Sequence, residues 1–452
     1  MQDLYPRLSD ASDALSPAAW ITRQIQVVDA YQQEMRLARR HGLARMGGWR
    51  SAVAISISSS GSTHFVLMMF GAYPHQFSAY WTRTWLYLLR ARLDAQFAVS
   101  QHGPDSLDPS KVHDFRQLLY AKRLQMWVQP IVDLRSGVTV KVEALARLVD
   151  EDGQVFLPAQ FLSAFGGQAL NTLFVQGLAQ ALQQLHGWRE AGLDIGVTVN
   201  LSPSTLAHPH CLDWIKQALR GAQVMPEHLT LEILETEELD RTESDEALRA
   251  IDALGVRLAL DDLGAGYGSL RRLAALPLDT VKIDQSLVRE LPKDPVKTIR
   301  LIAALVRVSQ QFARNTVVEG LENPGYCEAA RLLGATLGQG FGIAAPMPAE
   351  AFLGWVRSAP VAPADGAELH TWPGALAYHW TTLQDEWGPR HPGPLYSCPL
   401  TGFLQAQGSD DLQALHWHDQ VHHGSHTKRN ENASEALLQW LAKRVLKGVA
   451  AA

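Results

Sequence analysis

Cysteine is scarce in this chain: three in 452 residues, at Cys211, Cys327 and Cys398. So few thiols in so long a sequence exclude a disulfide framework and point to a reducing compartment. An excess of positive charge is also missing, since 40 Lys and Arg face 46 Asp and Glu and leave a net charge of -6. That balance gives a nucleic-acid polymer no basic face, so an anionic ligand would have to be met by metal ions or local arginines. Long apolar runs are absent as well. Stretches such as Phe65 to Phe70 fall far short of the roughly 20 residues that a membrane-spanning helix needs. The opening MQDLYPRLSD is polar and acidic, unlike a secretory signal. Together these absences predict a cytoplasmic protein without membrane insertion.

What is present is an apolar fraction of 46%, enough for a sizeable core, spread over a length that suggests two or three domains. Residues 1–105 open with helical periodicity from Ala18 to Leu43. Alternation over Ser51 to Ile57 and again over Thr63 to Phe70, across a serine- and glycine-rich turn, predicts a hairpin. A further helix is expected over Ser78 to Ala98, with Trp81, Trp85, Leu88, Leu89 and Leu93 at helical spacing. The phrase FGAYPHQF before it resembles the end of a ligand-sensing GAF domain. A structural or dimerising segment without ligand is the equal reading.

Over 106–358 strands and helices alternate. Strands are expected at Gln125–Val132, Val138–Ala144, Gly196–Asn200, Leu229–Ile233, Val256–Leu260, Thr280–Ile283, Thr316–Val318 and Ala335–Gln339, with helices between most of them. That rhythm predicts a (β/α)8 TIM-like barrel, or failing that a doubly wound open sheet. The polar residues favour the barrel: Glu143, Asn200, Glu232, Asp261, Lys282, Glu319 and Gln339 each stand at a strand end, and only a closed barrel gathers strand ends on one face. The fold class is α/β, with a smaller N-terminal α/β segment and a C-terminal helical domain beside the barrel. Asp261 and Asp262 are adjacent, and two uncompensated carboxylates that close cannot both stay ionised. Divalent cations are therefore expected beside them.

These residues spell out a family. Glu143-Ala144-Leu145 with Arg147, then Asn200-Leu201-Ser202-Pro203, Leu231-Glu232-Ile233-Leu234-Glu235, Asp261-Asp262-Leu263-Gly264, Val281-Lys282-Ile283-Asp284, Glu319-Gly320-Leu321-Glu322 and Gln339-Gly340-Phe341 occur in order. The set resembles the EAL domain, whose members hydrolyse the bacterial messenger cyclic di-GMP to linear pGpG with two Mg2+ or Mn2+ ions and tend to form homodimers. The resemblance implies metal ligands at Glu143, Asn200, Glu232, Asp261, Asp262 and Glu319. An all-oxygen set of this kind suits a hard cation and not zinc. Two such ions would clamp the attacking and leaving oxygens of an in-line phosphoryl displacement. The resemblance further implies catalytic parts for Glu319, Lys282, Asp262, Gln339 and Glu235, and substrate contacts for Leu145, Arg147, Gln129 and Pro346. Lys282 would bring positive charge to the transition state and Arg147 would pair with the phosphate that is not cut. Glu319 reads either as general base or as ligand only.

The glycine loop departs from the family pattern DDFGTGYSSL: it reads DDLGAGYGSL, with Leu263, Ala265 and Gly268 as the replacements. The changes spare every ligand but remove a hydroxyl and add backbone freedom.

Residues 359–370, APVAPADG among them, read as a linker. Histidine is dense over the helical segment 371–452. His379, then Cys398 followed by Gly402 and Phe403, then His418 and His422 four apart on one helix face, resemble the chemoreceptor zinc-binding domain. Three imidazoles and a thiolate suit a closed tetrahedral Zn2+ site. The cysteine motif is one residue longer than in that family, and His416, His423 and His426 are rival ligands. Glu435 to Val449 reads as an amphipathic helix packed on this segment or on a partner chain. The whole predicts a cyclic di-GMP phosphodiesterase regulated by its flanking segments. The alternative is a catalytically weak receptor that binds the dinucleotide and signals to a partner.

Overall fold

The computed structural model describes residues 24–59, 62–79, 109–234, 241–263, 275–358, 368–383, 398–407, 412–423 and 428–450, with Ala19, Thr22, Leu273 and scattered positions between 82 and 93. The chain divides into two units, Met1–Ser110 and Lys111–Ala452.

In the first unit three antiparallel strands, β1 (Gln26–Val28), β2 (Ser51–Ser59) and β3 (Ser62–Gly71), lie side by side in that order. Successive side chains point to opposite faces of a strand. Ala52 and Ala54 therefore join Val28, Tyr31 and Leu37 on one face, while Val53 and Ile55 meet Phe77 and Leu86 on the other. The hairpin read from the alternation is β2 with β3. The helix read over Ala18 to Leu43 is interrupted: Ala19 and Thr22 are helical, but Gln26–Val28 is a strand. The β-branched pair Val27 and Val28 is extended against Val53 and Ala52, and two 3-10 turns lead from it to a short helix at His41–Met46. Sheet pairing outweighs a weak helical preference. Between Thr82 and Leu93 the described positions are helical, as expected; Trp81 and Leu88 lie outside them.

In the second unit eight strands close into a barrel: β4 (Leu124–Asp133), β5 (Thr139–Val149), β7 (Gly196–Leu201), β8 (Leu229–Leu234), β9 (Arg257–Leu263), β10 (Thr280–Ile283), β11 (Asn315–Val318) and β12 (Leu337–Gly338). A two-residue strand, β6 (Val155–Phe156), extends β5, and β13 (Met347–Pro348) lies on β4. From β5 to β12 neighbours are parallel, whereas β4 runs against both β5 and β12. The reversal has a local cause. Only residues 134–138 separate β4 from β5, too few for a crossover helix. Asp133 Oδ1 folds that turn by accepting from the N–H groups of Arg135 and Ser136, and Gly137 takes its positive φ of 70°.

Among the described residues the crossover helices elsewhere are α1 (Gly167–Glu190), α2 (Cys211–Ala222), α3 (Arg241–Asp252), α4 (Pro295–Gln311) and α5 (Pro324–Leu332), with α6 (Ala349–Ser358) after β13. Several motif residues are helix starts. Ser202 and Asn323 each cap the helix that a following proline begins, and Asp284 caps Gln285–Val288. The residues after Asn200, Lys282 and Glu319 thus turn the chain away from the strand ends.

Four more helices, α7 (Trp372–Leu383), α8 (Pro399–Ala406), α9 (Leu412–His423) and α10 (Lys428–Ala450), form a layer on the barrel. Their core is continuous with that of the barrel helices: Ile299, Ile302, Tyr326 and Ala329 share one cluster with Leu376, Phe403, Leu437 and Leu441. Arg300 is fixed between the Trp380 ring, 4.8 Å from its centroid, and the Glu435 carboxyl at 3.2 Å. The tail helix starts at Lys428, ahead of the Glu435 expected, and buries Leu437, Leu438 and Leu441.

Candidate active site

Parallel register brings the strand-end residues to one depth. Asn200 on β7 stands beside Glu232 on β8, and Leu234 on β8 beside Asp261 on β9. Glu319 follows β11 and its N–H donates to the Ile283 carbonyl at the end of β10. On the reversed strand, Gln129 is the direct partner of Glu143.

At the centre is Lys282, 1% exposed in a strand buried at all four positions. Its Nζ lies 2.7 Å from Glu319, 2.9 Å from Glu232, 3.3 Å from Glu143 and 3.5 Å from Asp261. Two amides complete the cluster. Asn200 Nδ2 donates to Glu143 Oε1 at 3.1 Å, and Gln339 Nε2 donates to Glu143 Oε2 at 2.7 Å and to Gln129 Oε1 at 3.0 Å. Gln129 in turn donates to the Ala344 carbonyl at 3.0 Å. Glu143, Asn200, Glu232, Asp261, Lys282, Glu319, Gln339 and Gln129 are thus one constellation at the strand ends. The open sheet is excluded.

One lysine cannot balance four carboxyl groups at such range. Burial, with the Glu143 charge second, pushes Glu232 up to about 8, and burial raises Glu319 to about 7. Burial also acts against Glu143, but Lys282 and the amides of Gln339 and Asn200 outweigh it and hold that carboxyl below its usual range. For Lys282 burial is overcome by the surrounding carboxylates, so the ammonium is held well above its ordinary value. The site therefore takes up either protons or further cations. Glu232 Oε1 is buried and makes no hydrogen bond, which leaves an oxygen ready for a ligand. Oxygen donors without imidazole or thiolate fit Mg2+ or Mn2+.

Glu143, Leu145 and Arg147 share one face of β5 by alternation. Arg147 is buried, donates to the Ala146 carbonyl at 2.8 Å, and stacks its guanidinium 5.4 Å from the Trp127 ring centroid. Its Nε makes no hydrogen bond, and burial lowers its pKa. Trp127 was not among the residues read from the sequence. The signal was its place directly opposite Leu145, visible only once the hairpin register is known. Pro346 is half-buried beside β13. Glu235, the glycine loop after Leu263 and the Asp262 side chain lie outside what is described.

An EAL domain model matches residues 112–346, just over half of the chain. The chain belongs to the EAL domain family. The bifunctional diguanylate cyclase/cyclic di-GMP phosphodiesterase MucR of Pseudomonas aeruginosa is 33% identical over 245 residues, which are 54% of this chain and 36% of that protein. The cyclic di-GMP phosphodiesterase RocR of the same organism is 31% identical over 231 residues, 51% of this chain and 59% of its own length. The EAL chain therefore spans a third to three fifths of these relatives. A solved structure described as PaMucR phosphodiesterase in complex with c-di-GMP superposes with a TM-score of 0.51 at 32% identity, covering 54% of this chain and 99% of that one. The EAL enzyme Bd1971, at 18% identity and a TM-score of 0.52, shares the fold.

A second cluster lies in the helical layer of this EAL chain. Ligand atoms of Cys398, His418 and His422 all fall within 4.8 Å of one another. The His418 and His422 rings meet edge to face at 4.7 Å, and His418 Nε2 lies 2.9 Å from the Thr401 hydroxyl. His418 Nδ1 is buried without a hydrogen bond. His379 is not one of the three within 4.8 Å but lies close enough to interact electrostatically with His418 and His422, its Nε2 3.0 Å from the Ser434 carbonyl oxygen, and His416 faces Gln420 at 2.7 Å. His426 and the His423 side chain lie outside the described residues.

Proposed function

We propose that the barrel hydrolyses cyclic di-GMP to linear pGpG. The observation that carries this reading is the convergence of Glu143, Asn200, Glu232, Asp261 and Glu319 on one rim around a buried lysine. The relatives named as phosphodiesterases of that dinucleotide support it. Water adds to one phosphodiester phosphorus, the bond to a ribose oxygen breaks, and that oxygen leaves with a proton. When bound, two Mg2+ or Mn2+ ions held by Glu143, Asn200, Glu232, Asp261, Asp262 and Glu319 would supply Lewis-acid charge to the phosphoryl oxygens and acidify water.

The chain's own groups do the rest. Lys282, kept cationic by its carboxylates, offsets negative charge that builds on the phosphoryl group. Glu319, which burial raises to about 7 before any ion binds, stands where it can serve as general base or as metal ligand. Arg147, pre-set against Trp127 with an unused N–H, is suited to grip the other phosphate. Gln129 and Gln339 hold each other and so keep Glu143 turned to the mouth.

Incubating the purified chain with cyclic di-GMP and Mg2+ or Mn2+, and separating the products by chromatography, tests this. Formation of pGpG that Glu143→Ala abolishes is expected. Tight binding with no pGpG would make the protein a receptor instead. We further infer that Cys398, His418 and His422 hold a zinc ion, on the strength of their spacing and of the unpartnered His418 Nδ1. Metal analysis of the purified chain and of Cys398→Ser tests that. Homodimerisation is checked by light scattering. No described helix is long and apolar enough to cross a membrane.

A further inference from the structure

Glu328 is a buried carboxyl that the proposed chemistry does not use. It sits on α5, 8% exposed, and both oxygens are engaged by the start of the helical layer. Oε1 accepts the His370 N–H at 2.9 Å, and Oε2 accepts the Thr371 hydroxyl in a short hydrogen bond. The Thr371 oxygen itself accepts the Gly374 N–H at 3.0 Å, closing the first turn of α7. A methyl group on Gly374 would meet the Glu328 carboxyl and displace it.

The other end of α5 leads to the site. Its cap Asn323 closes the loop that starts at Glu319, and this loop is gripped from two sides. On one side the Leu321 N–H donates to the Gln339 carbonyl at 3.1 Å, and the Gly342 N–H donates to the Leu321 carbonyl at 2.7 Å. A methyl on Gly342 would come 2.6 Å from the Asn323 backbone, so the two loops touch main chain to main chain. On the other side Gly325, in the first turn of α5, faces Thr371 and Pro373; a methyl there would reach them at 3.3 and 3.2 Å. Glu319 and Gln339 thus hang from a loop pair whose outer wall is the helical layer.

We propose that Glu328 is a positioning residue, tying α7 to α5 so that the layer holds Glu319 and Gln339 in place at the barrel mouth. A carboxyl that accepts two hydrogen bonds out of water fixes both partners, and removing it leaves the His370 N–H and the Thr371 hydroxyl unsatisfied. The rim then loses its outer support while the strands bearing Glu143 and Glu232 keep theirs. The activity arm of the test rests on the phosphodiesterase reading; the structural arm does not.

Glu328→Ala, Glu328→Gln and Thr371→Val are compared with the full wild-type chain by hydrogen exchange, by Mn2+ titration followed by electron paramagnetic resonance, and by steady-state kinetics. In Glu328→Ala the peptide 319–326 should exchange faster by about tenfold, the factor that a lost hydrogen bond to a carboxyl group carries, while 196–201 keeps its protection. Mn2+ should bind about tenfold more weakly, as when a group that orients a ligand is lost. kcat should fall about tenfold or more at unchanged KM, the mark of misplacement. Glu328→Gln, which keeps one acceptor, should recover much of each loss, and Thr371→Val, which leaves the carboxyl in place, should show a smaller effect of the same sign. Unchanged exchange at 319–326 would overturn the proposal, and so would faster exchange that is uniform across 196–201 and 319–326. A wild-type chain that cleaves no cyclic di-GMP would defeat the phosphodiesterase reading alone, since exchange still decides the role of Glu328.

Discussion

Replacing Lys282 by methionine removes the cation that lies among four carboxyl groups while keeping the apolar stem. The lysine lies within 2.7 to 3.5 Å of Glu319, Glu232, Glu143 and Asp261 and is almost fully buried. Breaking a buried ion pair from one side costs about 3 to 5 kcal/mol, because the partner charge stays behind. Here the lower end applies. Glu232 and Glu319, already driven up to about 8 and 7, can take up protons in place of the lost ammonium. A loss of about 3 kcal/mol corresponds to a fall in Tm of about 4 to 6 °C for a unit of this size. The assay is thermal unfolding with chelator and with saturating Mn2+. In chelator the variant should melt lower by that amount. With Mn2+ it should regain more than the wild type does, since no ammonium competes for the carboxylates. Equal Tm values in chelator would refute the role given to Lys282. Equal Mn2+ gains would refute the view that the ions bind among these acids.

Further expectations follow from the same geometry. Glu143→Gln should leave the fold intact by circular dichroism and lower turnover by at least about a hundredfold, as should excess chelator, with Mn2+ restoring only the chelated wild type. Gly342→Ala forces a methyl against the Asn323 backbone and should lower stability by about 1 to 3 kcal/mol in thermal melts. His379 is buried in its neutral form, and burial depresses its pKa from 6.5 to about 4. A base depressed in the folded chain is protonated first in the unfolded one, so its contribution is full above about pH 7 and is lost as pH falls toward 4. The loss amounts to about 3 kcal/mol. Tryptophan fluorescence melts in chelator should show this slope, and His379→Gln should flatten it. Cys398→Ser should lower the zinc retained after dialysis by at least about tenfold.

The barrel was legible in the sequence because its strands are buried on both faces and end on polar residues. Thr280 to Ile283 could be read with the right bounds, and the polar residues at the strand ends could be gathered on one face because only a closed barrel brings them together. What escaped depended on pairing between distant segments. The periodicity of Ala18 to Leu43 gave no sign that Val27 would lie against Val53. Trp127 gained its place over Arg147 only through the hairpin register. Glu328 carried no signal in the sequence, because its donors at His370 and Thr371 are more than forty residues along the chain. His418 and His422 were legible from helix spacing and Cys398 from the resemblance to a zinc-binding domain, whereas the orientation of His379 toward Ser434 was not.

The reversed strand β4 has a consequence for how the barrel tolerates insertions. Its pairing with β5 holds one offset from Leu124 to Ile131 and then shifts by a residue before Val132. That bulge lies between the tight turn at 134–138 and the half of the hairpin that carries Trp127 and Gln129. A residue added to the turn can be absorbed at the bulge, on the floor of the barrel. A residue deleted between Gln125 and Val128 has no such buffer. It would rotate the part of the strand before the deletion by half a period and swing the buried Leu124 to the outside, while the turn keeps Gln129 opposite Glu143.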